Sequence, residues 1–423
     1  MIKTISISEL QFAHYLRADD VVGWPQGPGE PLALTERLVA QREELNTPTL
    51  LFGLSSSDTL RAELASHFAF RALNGAGNNR RITSFADIIP CHVSAIPSLF
   101  RERLLRLDVA LIQVRPLSDG RYTTGVISDF SEAMVRAARL VIALVNPALP
   151  ATTADACIDA EEIDLLVESD DRIIDMPDPE PSAVEQIVAS QVAALIPNRA
   201  TVQLGVGTLP TAVAHALYDH RELGVHSGVV SDALVDLIER GVVTNAHKGR
   251  DVGKTITGGL FGTRRLRDFA NVTNLIEMRN AEYTHDISVT SSLSQFYTIN
   301  SAIEVDLTGQ ANAEIAGNRY LGAVGGQVDY VRAGVASSGG RSIIAFPSTT
   351  PDGKHSRITA LLDGRPVTTA RSDVDIVVTE FGAAHLRGCS LRERATKLLA
   401  IAHPEHQEKL ARKLHAASAL SGK

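Results

Sequence analysis

Short runs of apolar, β-branched residues recur along the chain without polar alternation. They include PTLLFGL (48–54), VALIQV (109–114), RLVIALV (139–145), TVQLGVG (201–207), RSIIAF (341–346) and VDIVVTE (374–380). A strand covered on both faces reads this way, because neither side meets water. Between the runs lie stretches of helical period. In SDALVDLIERGVV (231–243), Ala233, Leu234, Leu237 and Ile238 share one face, and Ser231 or Asp232 suits the N-cap. PTAVAHALYDH (210–220) opens on Pro210, a residue suited to the first helical position. Strands alternating with helices predict an α/β fold with mainly parallel sheets. The segment DMPDPEPS (175–182) carries three prolines in five positions, which forbids a helix and predicts an extended, solvated linker. Residues 1–180 and 181–423 then form two α/β lobes of similar make.

Composition narrows the function more than the fold. A chain of 423 residues with 21% charged residues is long enough for two or three packed cores. The net charge of −8 and the lack of a basic stripe argue against a nucleic-acid partner. Arg264, Arg265 and Arg267 form the densest basic cluster, read as a solvated helix face. Cys91, Cys157 and Cys389 are too scattered for a disulfide framework or a zinc site, so they read as buried apolar residues, and no metal is expected. The first twenty residues hold no apolar segment of signal type, and no run is long enough to cross a membrane. A cytoplasmic protein with no membrane contact is the expectation.

Several segments could carry chemistry. In QLGVGTLP (203–210), Gly205 and Gly207 separate a strand from a helix start, where backbone amides can approach an anion. It lacks the third glycine of a dinucleotide fingerprint. Gly325 and Gly326 precede Gln327 and Asp329, consistent with close backbone approach to a ligand or with a tight turn. Glu380 ends a strand, where open α/β sheets bind ligands, although a salt-bridged carboxylate would look the same. In IEMRNAEYTHDI (276–287), Glu277, Glu282, His285 and Asp286 crowd together. Glu282 and His285 could work as an acid–base pair or stand in an exposed polar loop.

Taken in order, seven segments resemble the acetyl-CoA hydrolase/transferase family, in particular its 4-hydroxybutyrate and butyrate CoA-transferases. They are QLGVGTLP, LGVHSGVVSDALVDLIERGVVTN, GLFGTRRLRDF, NSAIEVDLTGQ, GAVGGQVDYVRAG, VTTARSDVDIVVTEFG and SLRERATKLLAIAHPEH. EPLAL (30–34) and ALVNPALP (143–150) extend the likeness into the N-terminal half. The resemblance implies two related α/β lobes with the active site between them. It implies coenzyme A as the thioester substrate, an acyl-CoA and a carboxylate as small-molecule partners, and a homodimer or higher homo-oligomer. It also implies a ping-pong reaction through a glutamate. Gln203 matches the family's active-site glutamine, Gly325 or Gly326 the backbone that supports the thioester oxygen, and Glu380 a second glutamate. An asparagine of the family falls at His285 and a histidine of its N-terminal lobe near Gln26.

The nucleophilic glutamate falls at Gly228, in Gly224-Val225-His226-Ser227-Gly228. Glycine cannot form the anhydride. Three functions follow. Water could enter the vacated space with His285, Glu282 or His226 as base, giving thioester hydrolysis or other acyl-CoA chemistry. A relocated carboxylate, Glu282 or Glu380, could restore CoA transfer. Or the protein could bind CoA esters without turnover.

Overall fold

The computed structural model of the chain describes residues 2–169 and 172–416. Two large sheets dominate. In the first, eight strands run parallel in the spatial order Lys3–Ser6, Leu165–Glu168, Leu140–Val145, Val109–Pro116, Val21–Trp24, Thr49–Phe52, Ala69–Ala72, Ala86–Ile88. In the second, the order is Ile276–Met278, Thr255–Thr257, Gly224–Ser227, Thr201–Gln203, Phe296–Asn300, Arg341–Ala345, Ile376–Thr379, with Gly382–His385 antiparallel at the edge.

The two orders share one topology. With the edge strands Lys3–Ser6 and Gly382–His385 set aside, and counting from Val21–Trp24 in one sheet and Thr201–Gln203 in the other, the first strand is flanked on one side by the next three in sequence and on the other by the fifth, sixth and seventh. Val21–Trp24 thus corresponds to Thr201–Gln203, Thr49–Phe52 to Gly224–Ser227, and Val109–Pro116 to Phe296–Asn300. The strand order reverses between the first and fifth strands, and ligand crevices of open α/β sheets form outside the carboxyl ends at that reversal.

Burial explains why the runs lack polar alternation. Along VALIQV, Val109 and Leu111 pack with Leu34 and Leu38 on one face, while Ala110, Ile112 and Val114 pack with Phe100, Phe130 and Met134 on the other. In the second sheet Ile343 and Ile344 divide the same way. Both faces are apolar, so period two is hidden.

The helices keep their places with shifted ends. One spans Thr208–Ala216, with Pro210 in its first turn but not at its first position, and another spans Asp232–Glu239 with Ser231 at the cap. Asp232 instead turns its carboxylate to the Thr263 and Leu266 amides.

Three expectations need correction. The proline segment is not a free solvated linker: Met176 N donates to the Gly262 carbonyl, and Asp178 accepts from the Ala233 amide at 2.8 Å. Arg267 is not solvated; it is buried against Asp175 at 2.8 Å, while Arg265 pairs with Asp236 and Glu239. The three cysteines are free and only partly buried. Among the described residues no helix is long and apolar enough to cross a membrane.

Candidate functional site

The carboxyl ends of the second sheet carry Gln203, Gly228, Asn300 and Glu380. Asn300 Nδ2 donates to Gln203 Oε1 at 3.2 Å, across the point where the strand order reverses. Ser227 Oγ donates to the Leu204 carbonyl at 2.6 Å and ties the Gly228 turn to the Gly205 loop.

Gly228 does not lie in the left-handed backbone region, so its backbone does not demand glycine. Its neighbours do. A Cβ at 228 would meet His285 Cε1 at 2.6 Å, His285 Nε2 at 2.8 Å and the Tyr330 hydroxyl at 3.2 Å. A Cβ at Gly326 would meet the same Nε2 at 2.5 Å. The imidazole of His285 is therefore wedged between two glycines, with the Tyr330 ring 4.6 Å away, centroid to centroid. The space expected beside Gly228 is already taken.

The hydrogen bonds set the state of that ring. Thr284 Oγ1 donates to the Asn280 carbonyl at 3.1 Å, so its contact of 2.9 Å with His285 Nδ1 leaves the proton on Nδ1. Nε2 is then an acceptor aimed at Gly228 and Gly326. Burial pushes the pKa of His285 down to about 3, so the ring is neutral at ordinary pH and a weak base. Tyr330 donates to the Thr284 carbonyl at 3.0 Å; burial drives its phenol well up, against a hydrogen bond from the Gly228 amide.

His226 does not reach the cleft. It is fully buried, donates Nε2 to the Thr284 carbonyl at 3.2 Å and stacks near Tyr283 and Phe296. Burial and the nearby Lys248 hold its pKa well below the usual value. Glu282 lines a cavity with Asp129 and Asn280, where Arg101 grips its half-exposed carboxylate at 2.6 Å. The expected Glu282–His285 pair does not form a hydrogen bond; each side chain has a different partner. Glu277 lies 3.6 Å from Arg279, and Asp286 caps the turn Ile287–Thr290. Glu380 is held by the Ser348 amide and hydroxyl at 2.8 and 2.6 Å.

The glycine loops differ in readiness. Gly207 has φ of 120°, and a Cβ there would meet nothing, so the backbone is what requires glycine. At the start of the helix after it, the Thr208 hydroxyl donates to the Glu185 carboxylate. Desolvation works to raise Glu185, but the Thr208 and Ser182 hydrogen bonds outweigh it and hold it low. Gly325 (φ 57°) pairs with the N-terminal lobe, because the Val93 amide donates to its carbonyl at 3.1 Å. Ser94 adds a bond of 2.8 Å to Asp329. Gly326 caps the helix Gln327–Ala336, and Gln327 Nε2 donates to Thr369 Oγ1 at 3.0 Å.

One residue was missed in the sequence reading. Asp129 is buried at the seam between the sheets, where Gln26 Nε2 donates to it at 2.9 Å. Its amide and that of Ser128 donate to the Gly258 carbonyl, and the Gly258 amide donates to the Gly228 carbonyl at 3.0 Å. Desolvation raises its pKa to about 7, partly offset by Phe130, Gln26 and Ser131. One cue is in the sequence: GVISD (125–129) matches GVVSD (228–232) at four of five positions. Among the described residues no cluster of side chains could hold a metal ion.

The chain is similar to known proteins over most of its length. Residues 2–176 match the acetyl-CoA hydrolase/transferase N-terminal domain and 262–414 the C-terminal domain. The chain is 39% identical over 388 residues to the 4-hydroxybutyrate coenzyme A transferase of Clostridium kluyveri, covering 90% of each. Its structure is similar to RipA from Yersinia pestis, at TM-score 0.90 and 30% identity over 98% of this chain and 97% of that one. It is also similar to the 4-hydroxybutyrate CoA-transferase of Porphyromonas gingivalis, at 0.82 and 31% over 98% of each.

Two outcomes follow for stability. Gly228→Glu should cost at least about 1–3 kcal/mol, because its stem collides with His285. Adding His285→Asn should recover most of that loss, as read by urea midpoints. For Asp129, the folded pKa lies above the unfolded value, so its contribution is full below about pH 4 and is lost as pH rises through about 7. The stability difference between the wild type and Asp129→Asn should therefore fall by a few kcal/mol across that window.

Proposed function

Because the chain belongs to the acetyl-CoA hydrolase/transferase family, we propose that it is an enzyme that cleaves an acyl-CoA without a glutamyl intermediate at position 228, water taking the acyl group to give a carboxylic acid and free CoA. The observation that carries this reading is the wedge of His285 between Gly228 and Gly326. By the resemblance of the segment 224–228, residue 228 stands where relatives carry their nucleophile. The atoms nearest that position belong to His285 and Tyr330, and no carboxylate is among them.

Each residue has a role in this reading. His285 Nε2 accepts a hydrogen bond from the attacking water and orients it; its low basicity makes it a positioning group and not the final proton acceptor. The backbone at Gly325–Gly326, at the positive end of the helix Gln327–Ala336, supports the thioester oxygen as charge builds on it. Gln203, bridged to Asn300, and the Gly205–Gly207 loop hold the CoA arm at the crevice, and Gln327, whose side chain is fixed by Thr369, follows the Gly325–Gly326 turn. Glu380, fixed by Ser348, lines the same sheet end. Water adds to the carbonyl carbon, the C–S bond breaks, and the proton that the water loses passes through solvent to the departing sulfur, so that a carboxylic acid and the CoA thiol are released.

Transfer through a relocated carboxylate has less support. Glu282 is engaged by Arg101, Glu380 by Ser348, and neither is among the atoms nearest 228. Covalent catalysis tolerates little misplacement, about 1 Å costing on the order of 100-fold. The division near residue 180, a cytoplasmic setting and a homo-oligomer belong to the same proposal.

The purified protein, offered a panel of short-chain and dicarboxylic acyl-CoAs, should release free thiol with no carboxylate acceptor added. His285→Ala should slow release by roughly 10–100-fold. Release that appears only when acetate or another acid is supplied would sink the hydrolytic reading.

A further inference from the structure

The three cysteines have different surroundings. Burial pushes the Cys91 thiol up to about 11 and raises Cys157 as well. Cys389 is partly open to solvent and has an amine at its side: Lys397 Nζ lies 3.0 Å from Sγ. Both groups donate to one acceptor, the His385 carbonyl, the amine at 2.9 Å and the thiol at 3.4 Å. That shared acceptor holds sulfur and nitrogen side by side.

The backbone fixes both partners. Cys389 follows Gly388, whose φ of 77° turns the chain, and its amide donates to the Leu386 carbonyl at 3.1 Å. Lys397 sits on the helix Leu391–Ala400, whose start is locked by a capping box between Ser390 and Glu393. Arg394 Nε, on the same helix, donates to the Cys389 carbonyl at 3.3 Å.

We propose that Cys389 and Lys397 are a redox-modification site, joined by a reversible sulfur–nitrogen bond when the protein meets hydrogen peroxide. Peroxide first oxidises the thiol to a sulfenic acid and is itself reduced to water. The side-chain nitrogen of Lys397 then attacks the sulfur. The S–O bond breaks, an S–N bond forms, and the hydroxide leaves as water with one amine proton. One two-electron oxidant is consumed, and two waters are released in all. Excess low-molecular-weight thiol attacks the sulfur and restores both side chains. The bond would tie the helix Leu391–Ala400 to the turn that follows strand Gly382–His385, whose hairpin carries Glu380 at its opposite end.

The test is peptide mapping by mass spectrometry on the full chain after dilute hydrogen peroxide. The expected product is the Cys389 peptide joined to the Lys397 peptide, about 2 Da below the sum of the two reduced peptides. It should vanish on treatment with dithiothreitol and be absent from Cys389→Ser and Lys397→Arg. In Lys397→Arg, Cys389 should instead gain oxygen only. A wild-type Cys389 that stays reduced, or that gains oxygen without a joined peptide, overturns the proposal.

Discussion

The imidazole of His285 is packed where no Cβ can stand beside it, with Gly228 on one side, Gly326 on the other and Tyr330 closing the wedge. The rest of the cleft is arranged around that fit. His285 is held by Thr284, whose carbonyl also anchors Tyr330 and the buried His226. Gly228 is held through Gly258 to Asp129 and so to the other sheet. A change at any one of these positions is felt at the others, because the ring can be neither moved nor charged cheaply where it sits.

This coupling recasts the glycine at 228. Taken alone, it looks like a deletion that leaves a hole. In the fold there is no hole: the neighbouring histidine fills it, and the second glycine is needed for the same ring. The glycine at 228 and the histidine at 285 are two halves of one steric fit. The fit yields a neutral acceptor aimed at the site, which suits positioning of a water better than taking up a proton. Asp129, with its near-neutral pKa, stands one glycine away.

Much of the fold was legible in the sequence. VALIQV and RSIIAF read as strands because both faces of each sheet are apolar, and the spacing of runs and helical stretches gave the α/β alternation. The repeated strand order was not legible, since it depends on which strands pair and not on local pattern. The proline segment misled because Asp178 and Met176 find partners distant in sequence. At the site, Gly325, Gly326 and His285 stood out by residue type. Glu282 and His226 stood out equally, and only side-chain direction separates them: one meets Arg101, the other the core. Asp129 carries no spacing signal of its own, and the one cue to it is that GVISD (125–129) differs from GVVSD (228–232) at a single position.

In the hydrolytic reading no protein carboxylate carries the acyl group or CoA. This is tested most directly by quenching the enzyme during acyl-CoA turnover with borohydride, which reduces a glutamyl thioester to the alcohol, and mapping every acidic peptide. The account predicts that Glu282, Glu380 and all other carboxylates return unmodified while free CoA accumulates. A reduced glutamate at any position, formed only with acyl-CoA present, would contradict it.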